Sequence, residues 1–430
     1  MGDWLARSVF AAYRVAGLAL RPLVPLVLWL RARRGKEVRA RRGERYGRAA
    51  IKRPAGRVIW VHAASVGETN AVMPLVARLS AAGFRVLFTS TTITSARVAA
   101  EKLPPTAIHQ FGPLDIAPYV DRFLDHWRPE FVLLVESELW PTIITRLEEN
   151  VVPLVVVNGR MSERSYRGWR RVMPIARHLF QRIGLVLAQS EEDGARFRTL
   201  GADKVRVTGN LKLDIPPLAA DAAELERLQS AIAQRPVWVA ASTHDGEEAV
   251  VAEAHRIARE KLPDLLTILV PRHPNRGAAV RQTLADRRLL VAQRSRGEPL
   301  LREIEVYLAD TLGELGLFYR AAPVAFLGGS LVAKGGQNPI EAAQLSTAVL
   351  HGPNVFNFAD IYAVLDRDAS APRVSDARTL ADAVTTLLST PRRADELAAA
   401  GERALARLTG ALDATMLALR PYVDGKYYSP

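Results

Sequence analysis

The chain has 430 residues, of which 49% are hydrophobic, and this is enough to form two domains with large cores. It contains no cysteine, so disulfide bonds, thiolate nucleophiles and cysteine-ligated zinc are excluded. The formal net charge is +13, and about half of this excess falls within one short tract near the N-terminus.

The first feature in the chain is an apolar stretch at residues 9–30. As a helix it would reach roughly 33 Å, long enough to cross a bilayer, but Arg14 and Arg21 interrupt it and Pro22 and Pro25 would kink it. The two arginines are seven residues apart and share one helical face. The pattern therefore predicts a helix that lies in the membrane interface with its arginines at the headgroups. No small-residue cleavage site follows, which argues against a cleaved signal peptide.

A basic tract follows at residues 31–48. It holds nine Lys/Arg and two acids, Glu37 and Glu44, which gives it a net charge of +7. Such a tract attracts anionic lipid and marks the cytoplasmic side of a membrane. The alternative is a soluble amphipathic helix followed by a solvated basic tract. Nucleic-acid binding is not favoured, because aromatic residues do not alternate with the charges.

From residue 56 onward, short apolar runs alternate with helical stretches. The first half predicts strands at residues 57–63, 85–90, 131–136, 153–158, 184–189 and 204–209. Near-continuous Val/Leu content is typical of strands that are buried on both faces of a parallel sheet. This half therefore predicts a doubly wound α/β domain.

The alternation pauses at residues 214–228, where two prolines indicate a linker, and then resumes. The second set of predicted strands covers residues 236–242, 265–272, 289–294, 306–310, 324–330 and 347–352. The organisation expected is a membrane-associated segment at 1–48, an N-terminal domain at 49–215 and a C-terminal domain at 216–430. Ligands of such sheets bind at the carboxyl ends of the strands, so the functional residues should follow the strands.

Polar residues occupy several of these strand-to-helix loops. Ser65-Val-Gly-Glu68 matches a capping box, and Glu68 is equally suited to be a catalytic base. Arg272 and His273 could bind a phosphate, or they could belong to a surface turn. The segment Asn338-Pro339-Ile340-Glu341 predicts a helix start with Asn338 as N-cap, and the glycines before it favour an anion site. No G-x-G-x-x-G or Walker motif is present.

Eight motifs together resemble one family. They are HAASVGE, ESELWP, NGRMSERS, TGNLKLD, ASTHDGEE, PRHPNR, DTLGELGLFY and FLGGSLVAKGGQNPIEAA, and they occur in order between about residues 30 and 365. This set resembles the transferases of 3-deoxy-D-manno-oct-2-ulosonic acid (Kdo). The resemblance implies an α/β GT-B fold, in which two Rossmann-like domains face each other across a cleft and the C-terminal one binds the donor.

The resemblance also implies a reaction and a site. Kdo would pass with inversion from CMP-Kdo to a lipid A precursor (lipid IVA), without a cofactor or catalytic metal, on the cytoplasmic face of the inner membrane. The implied catalytic residues are Glu68 as base, Glu138 as a second carboxylate and Lys212 as transition-state stabiliser. The implied donor contacts are Arg272 and His273 at the CMP phosphate, with Leu312, Gly313, Glu314, Asn338, Pro339, Ile340 and Glu341 at the cytidine and ribose.

Two alternatives from other classes remain at this stage. One is a GT-B enzyme that acts on a UDP-sugar, either a transferase or an epimerase. The other is a non-enzymatic protein that docks on membranes through the basic tract. His109, His126, His178, His255 and His351 show no metal-ligand spacing and are interpreted as structural.

Overall fold

The computed structural model describes residues 2–369 and 371–426. The chain divides into two units: the first contains the residues up to Ile215 together with those from Leu408 onward, and the second is Pro216–Arg407. Each unit is built on one parallel sheet with helices on both faces.

The first sheet has seven strands in the order β3-β2-β1-β4-β5-β6-β7. The strands are β1 (Val58–Ala63), β2 (Arg85–Ser90), β3 (Ile108–Phe111), β4 (Val132–Val135), β5 (Leu154–Gly159), β6 (Leu185–Ala188) and β7 (Val205–Val207). The helices that precede the second unit are α1 (Gly2–Leu20), α2 (Val24–Arg33), α3 (Arg42–Arg45), α4 (Val66–Ala81), α5 (Ile93–Lys102), α6 (Ala117–Trp127), α7 (Pro141–Glu149), α8 (Glu163–Arg170), α9 (Met173–Phe180) and α10 (Glu191–Leu200). Alternate residues of β1 enter opposite cores: Val58 and Trp60 pack on one face, and Ile59 and Val61 on the other.

The second sheet has six strands in the order β10-β11-β9-β8-β12-β13. They are β8 (Val237–Thr243), β9 (Leu266–Pro271), β10 (Val291–Gln293), β11 (Val306–Leu308), β12 (Val324–Leu327) and β13 (Ala348–His351). The helices are α11 (Ala222–Ile232), α12 (Glu247–Arg259), α13 (Gly277–Ala285), α14 (Leu315–Ala321), α15 (Ile340–Ala343), α16 (Ala359–Asp368), α17 (Ala377–Ser389) and α18 (Pro391–Ala406). Both sheets confirm the predicted doubly wound α/β class.

All twelve predicted strands are present, and the structure adds one that the pattern did not predict. This is β3 (Ile108–Phe111), an edge strand in which two polar residues, His109 and Gln110, lie between two apolar ones. An edge strand is not enclosed by two neighbouring strands, so it needs no continuous apolar run. For that reason the apolar-run criterion did not detect it.

The C-terminal helix α19 (Ala411–Val423) does not belong to the second domain, where the sequence placed it. It packs in the core of the first unit through Ala411, Ala418, Leu419 and Tyr422. Asp214 accepts hydrogen bonds from the backbone N–H groups of Gly410 and Leu412 and so fixes the return of the chain. The apolar pattern predicted the helix correctly, but it carries no information about which sheet the helix covers.

The N-terminal helices are also part of the first unit and not a separate segment. The chain breaks where the prolines predicted, through a 3-10 turn at Arg21–Leu23, and Phe10 is buried in the core beside α9. Arg14, expected at lipid headgroups, instead lies 3.2 Å from Glu149, and Tyr13 donates a 3.0 Å hydrogen bond to Asp115. An acid of the folded unit thus neutralises the charge of Arg14, and its position at lipid headgroups stays a prediction.

The basic tract is only partly solvated. Glu37, Glu44 and Arg45 are buried, and Arg45 lies 3.0 Å from Glu37 and donates to the carbonyls of Thr91 and Gly112. Glu44 accepts a hydrogen bond from the backbone N–H of Phe111, the last residue of β3. The two acids therefore turn part of the tract into a buried ionic network, because a buried guanidinium requires carboxylate and carbonyl partners.

We predict that Leu419→Ala destabilises the first unit by about 2–4 kcal/mol, because it removes a fully buried side chain from that core. Native-state hydrogen exchange should show faster opening of β1 and β4 and unchanged exchange in β8 and β9. Leu417→Ala is the matched control, since Leu417 lies on the same helix and is exposed. Faster exchange in the second sheet alone would contradict the placement of this helix.

Candidate active site

In the first unit, polar side chains meet at the carboxyl edge of the sheet. β1 and β4 are hydrogen-bonded neighbours and run parallel, so the loops that follow them leave the same edge. Glu68 follows β1, and Glu136 and Glu138 follow β4. The charges of Glu136 and Glu138 both act on Glu68, and Glu136 pairs with Lys212. The structure thus brings Glu68, Glu138 and Lys212 together, as predicted.

Glu68 lies in the first turn of α4, and its carboxylate folds back over the helix start. Ser65 is the N-cap: its hydroxyl accepts a hydrogen bond from the Glu68 backbone N–H at 3.2 Å and donates one to Glu68 Oε1 at 2.7 Å. The backbone N–H of Ala64 donates to Oε2 at 2.8 Å. Glu68 therefore does have a capping role, and the cap holds its carboxylate in one orientation.

The same carboxylate has the proton affinity of a base that works near neutral pH. Burial is the main cause, and it raises the pKa of Glu68 to about 7. The hydrogen bonds from Ser65 and Ala64 oppose this rise, whereas the nearby negative charges of Glu136 and Glu138 add to it. The residue as a whole is 9% exposed.

Lys212 is held in place by two independent contacts. Its ammonium lies 2.7 Å from Glu136 Oε1, and both side chains are largely buried. Asn158, at the end of β5, accepts a hydrogen bond from the N–H of Leu211 and so anchors the 3-10 turn Leu211–Asp214 that carries the lysine. Glu136 and Asn158 both have positive φ, a strained conformation for such residues that is enriched at functional sites.

Glu138 is oriented by a histidine that the sequence analysis did not assign. His62, buried in β1, has Nδ1 2.7 Å from Thr89 Oγ1 and Nε2 3.8 Å from Glu138 Oε2. The indole N–H of Trp140 donates to the same carboxylate at 2.9 Å. Burial alone would raise the pKa of Glu138, but His62 and Trp140 outweigh it and hold this pKa below its usual value. The available signal was a histidine inside an otherwise apolar strand.

In the second unit, cationic and imidazole groups follow β8 and β9. Arg272 and His273 directly follow β9 and are exposed, and the Arg272 side chain forms no hydrogen bond or ion pair with any residue that the structure describes. The His273 ring stands edge-on to that of His244, with centroids 6.0 Å apart. His244 Nε2 lies 3.0 Å from the amide of Gln337, which immediately precedes Asn338. His273 therefore lies next to His244, which contacts the glycine-rich loop, and the phosphate-binding role of Arg272 and His273 stays a prediction.

Glu247 shapes that loop, and the sequence analysis did not single it out. Its fully buried carboxylate accepts hydrogen bonds from the backbone N–H groups of Gly329, Ser330 and Leu331 at 2.7–3.1 Å and from that of His244 at 2.9 Å. The loop therefore has a fixed shape before any ligand arrives. Gly328 is required there because a Cβ would lie 2.5 Å from the carbonyl oxygen of Ser242.

The remaining predicted donor contacts are less free than expected. The carboxylate of Glu314 accepts hydrogen bonds from Arg294 and Thr311, and these partners hold its pKa below the usual value. In the same turn, Leu312 is exposed and Gly313 has φ +83°. Glu314 therefore fixes the turn, and the turn backbone is the part open to a ligand.

The predicted cap at Asn338 is displaced by one residue. Helix α15 begins at Ile340 with Pro339 at the N-cap, and Asn338 Oδ1 accepts from the Ile340 N–H at 3.2 Å. The Asn338 amide also donates to Glu341 at 3.1 Å. The reason is that Asn338 makes an Asx-type turn before the helix instead of standing at its first boundary. Within residues 2–369 and 371–426, no three His, Asp or Glu side chains are placed to hold a metal ion.

Comparison with known proteins identifies the family of this chain. Residues 40–215 match the family model described as 3-deoxy-D-manno-octulosonic-acid transferase. A 3-deoxy-D-manno-octulosonic acid transferase of Bordetella pertussis is 38% identical, covering 94% of this chain and 98% of its own. The enzyme of the same description from Haemophilus influenzae is 34% identical, covering 95% and 97%.

Solved structures agree on the fold. A glycosyltransferase from Rickettsia africae superimposes with a TM-score of 0.58 at 13% identity, covering 88% of this chain and all of its own. A UDP-GlcNAc 2-epimerase from Neisseria meningitidis gives 0.57 at 14% identity, covering 86% and 100%. At such low identity the UDP-binding neighbour shares the fold alone. The chain therefore belongs to the Kdo transferase family and is a glycosyltransferase with a GT-B-type fold.

Proposed function

We propose that this enzyme transfers Kdo from CMP-Kdo to a lipid A precursor (lipid IVA) with inversion at the anomeric carbon, and that Glu68 is the general base. The observation that carries the proposal is the Glu68 carboxylate, which is buried at the carboxyl edge of the first sheet with a pKa of about 7. A sugar hydroxyl needs a proton acceptor as it attacks, and a base with this pKa is effective near neutral pH.

The step is a direct displacement. An acceptor hydroxyl loses its proton to Glu68 while its oxygen forms a bond to the anomeric carbon of Kdo. The bond from that carbon to the phosphate oxygen breaks, and CMP leaves with the electron pair. Attack on the face opposite to CMP inverts the anomeric configuration.

Charge develops on the phosphate and is already present on the Kdo carboxylate, so the reaction needs fixed cations. Lys212, held by Glu136, is suited to stabilise one of these anions. Glu138, held by His62 and Trp140, is suited to orient the acceptor, since its hydrogen-bonded carboxylate stays ionised. With these groups supplied by side chains, we expect the reaction to proceed without a metal ion.

The donor phosphate is assigned to Arg272 and His273 of the second unit. Arg272 has an unpaired guanidinium beside a loop that Glu247 holds in shape, and a guanidinium binds phosphate through paired, charge-assisted hydrogen bonds. The backbone of the Leu312–Gly313 turn and the start of α15 at Asn338–Glu341 are assigned to the cytidine and ribose.

We assign the enzyme to the cytoplasmic face of the inner membrane. The segment Ala6–Arg33 is long and apolar enough to span a membrane by length and composition, and most of it is exposed instead of forming a protein core. The contacts of Tyr13 and Arg14 with the folded unit favour a helix that lies on the membrane with its outer face in the lipid. Exposed arginines nearby, including Arg34 and Arg39, would attract anionic lipid.

We predict that Glu68→Gln lowers kcat by roughly a hundredfold or more while the protein folds and binds CMP normally. The amide oxygen can accept one of the two hydrogen bonds that the carboxylate receives from Ala64 and Ser65, but the amide takes up no proton near neutral pH. Radiolabelled Kdo transfer and CMP titration measure the two properties. Glu191→Gln, an exposed acid in the first turn of α10, is the control and should keep full activity. Turnover at the wild-type rate by the Glu68→Gln enzyme would disprove the assignment of Glu68 as the general base.

The pH profile should report the Glu68 pKa directly. Below about 7 the carboxyl is protonated and cannot accept the acceptor proton, so kcat/KM should fall with decreasing pH and level off above 7. Ser65→Ala removes a hydrogen bond that lowers this pKa, so the acid limb should move to higher pH. Ser190→Ala removes an equivalent N-cap from α10 and should leave the limb in place. If the acid limb of the kcat/KM profile did not move in Ser65→Ala, the profile would report the titration of a group other than Glu68.

Arg272→Ala should weaken CMP-Kdo binding by on the order of 2 kcal/mol or more, because it removes a charge-assisted hydrogen bond to phosphate. The KM for the donor and calorimetric titration with CMP measure the loss. Arg287→Ala, an exposed arginine after α13 in the same unit, should bind CMP normally. The wild-type enzyme should also bind CMP far better than UDP. Equal binding of the two nucleotides would favour a UDP-sugar donor.

A further inference from the structure

A depression of about 550 Å³ lies in the first unit where the break between α1 and α2 meets the start of α6. Three arginines line it, Arg21, Arg48 and Arg122, together with two tyrosines, two prolines and Leu18. No acidic side chain of the described residues lines it. A concave site with three guanidinium groups and no carboxylate is suited to a ligand with concentrated negative charge.

The floor of this depression is rigid. The rings of Tyr46 and Tyr119 meet edge to face with their centroids 5.3 Å apart, and Arg122 donates a 2.5 Å hydrogen bond to the carbonyl oxygen of Tyr46. Tyr119 is buried with Val24 and Leu28 of α2, which fixes the helix break against the unit. The guanidinium of Arg21 lies 5.7 Å from the centre of the Tyr119 ring. The cationic groups are therefore grouped by packing and not by chance on a mobile surface.

None of the three arginines has a carboxylate partner among the described residues, and two of them have no hydrogen-bond partner there either. Arg21 and Arg48 are exposed, and neither side chain forms a hydrogen bond or ion pair with a residue in the described part of the chain. This differs from Arg14, Arg41 and Arg45, each of which pairs with a glutamate. The donors of Arg21 and Arg48 are thus available to an outside anion, and a guanidinium group binds phosphate through paired, charge-assisted hydrogen bonds.

The helix break beside the depression carries exposed apolar side chains, and Leu18 lines the depression itself. Leu20, Leu23 and Leu26 are each more than half exposed. A ligand that fills the site should therefore carry an anionic head and an apolar tail in contact with these leucines. An anionic phospholipid has this combination, whereas a free phosphate or nucleotide would leave the leucines in water.

We infer that this depression is a binding site for the phosphate headgroup of an anionic bilayer phospholipid. The inference rests on the membrane association proposed above and goes beyond it, because it replaces diffuse attraction by one stoichiometric site. Arg21 and Arg48 bind the phosphate, and the exposed leucines of the α1–α2 break contact the first part of the acyl chains. A lipid bound there would set the depth and rotation at which the first unit sits on the membrane.

The test compares two double variants that remove the same charge from the full-length protein. Arg21→Gln/Arg48→Gln removes the site, and Arg34→Gln/Arg39→Gln removes two exposed arginines of the basic tract outside it. Flotation with phosphatidylcholine vesicles that contain phosphatidylglycerol measures the affinity. Diffuse attraction predicts similar losses, whereas the site predicts at least about tenfold more loss for Arg21→Gln/Arg48→Gln. Equal losses would overturn the site and leave membrane association standing.

Two further comparisons identify the ligand. Arg21→Lys/Arg48→Lys keeps the charge but loses the guanidinium fork, so it should weaken binding several-fold, whereas Arg34→Lys/Arg39→Lys should not. If Arg21 and Arg48 mattered only in vesicles that contain lipid A precursor, the site would belong to the acceptor and the inference would be wrong. If the wild type bound no anionic vesicle, both this inference and the proposed membrane association would fail.

Discussion

Buried carboxylates that accept backbone N–H hydrogen bonds hold the loops at the carboxyl edges of both sheets, and the candidate sites depend on them. A loop that leaves a parallel strand has N–H groups without strand partners, and these must be satisfied if the loop is buried. Glu247 satisfies four of them beside Arg272, and Glu68 satisfies the N–H of Ala64 after β1. The loops that carry the proposed chemistry are therefore preorganised, as electrostatic catalysis requires.

The number of donors separates the structural carboxylates from the proposed base. Glu247 is surrounded by four N–H groups, so its oxygens have little capacity left for a substrate. Glu68 receives only one N–H and one hydroxyl, and burial together with two neighbouring glutamates outweighs them, which raises its pKa. Capping and catalysis are thus compatible in one side chain, because the cap fixes the carboxylate while its burial keeps it basic.

The N-terminal region shows how pairing divides a basic tract. Arg14 pairs with Glu149 and so joins α1 to the rest of the first unit. Arg41 and Arg45 pair with glutamates of the tract itself and reach the unit through backbone carbonyls. Where no glutamate is available, as for Arg21 and Arg48, the guanidinium groups stay open around the α1–α2 break. Arginine therefore stabilises the folded unit at some positions and is open to an outside anion at others. The net charge of the tract alone does not distinguish these two roles.

The sequence by itself determined the fold class, twelve of thirteen strands and the loops that carry Glu68, Glu138, Lys212 and Arg272, because buried parallel strands require continuous apolar runs and ligand loops follow them. Only the tertiary structure decided that α19 covers the first sheet, that His62 orients Glu138 and that Glu247 holds the glycine loop. These features arise from contacts between residues far apart in the chain. Local periodicity records which side chains are buried, but it does not record which partner they are buried against.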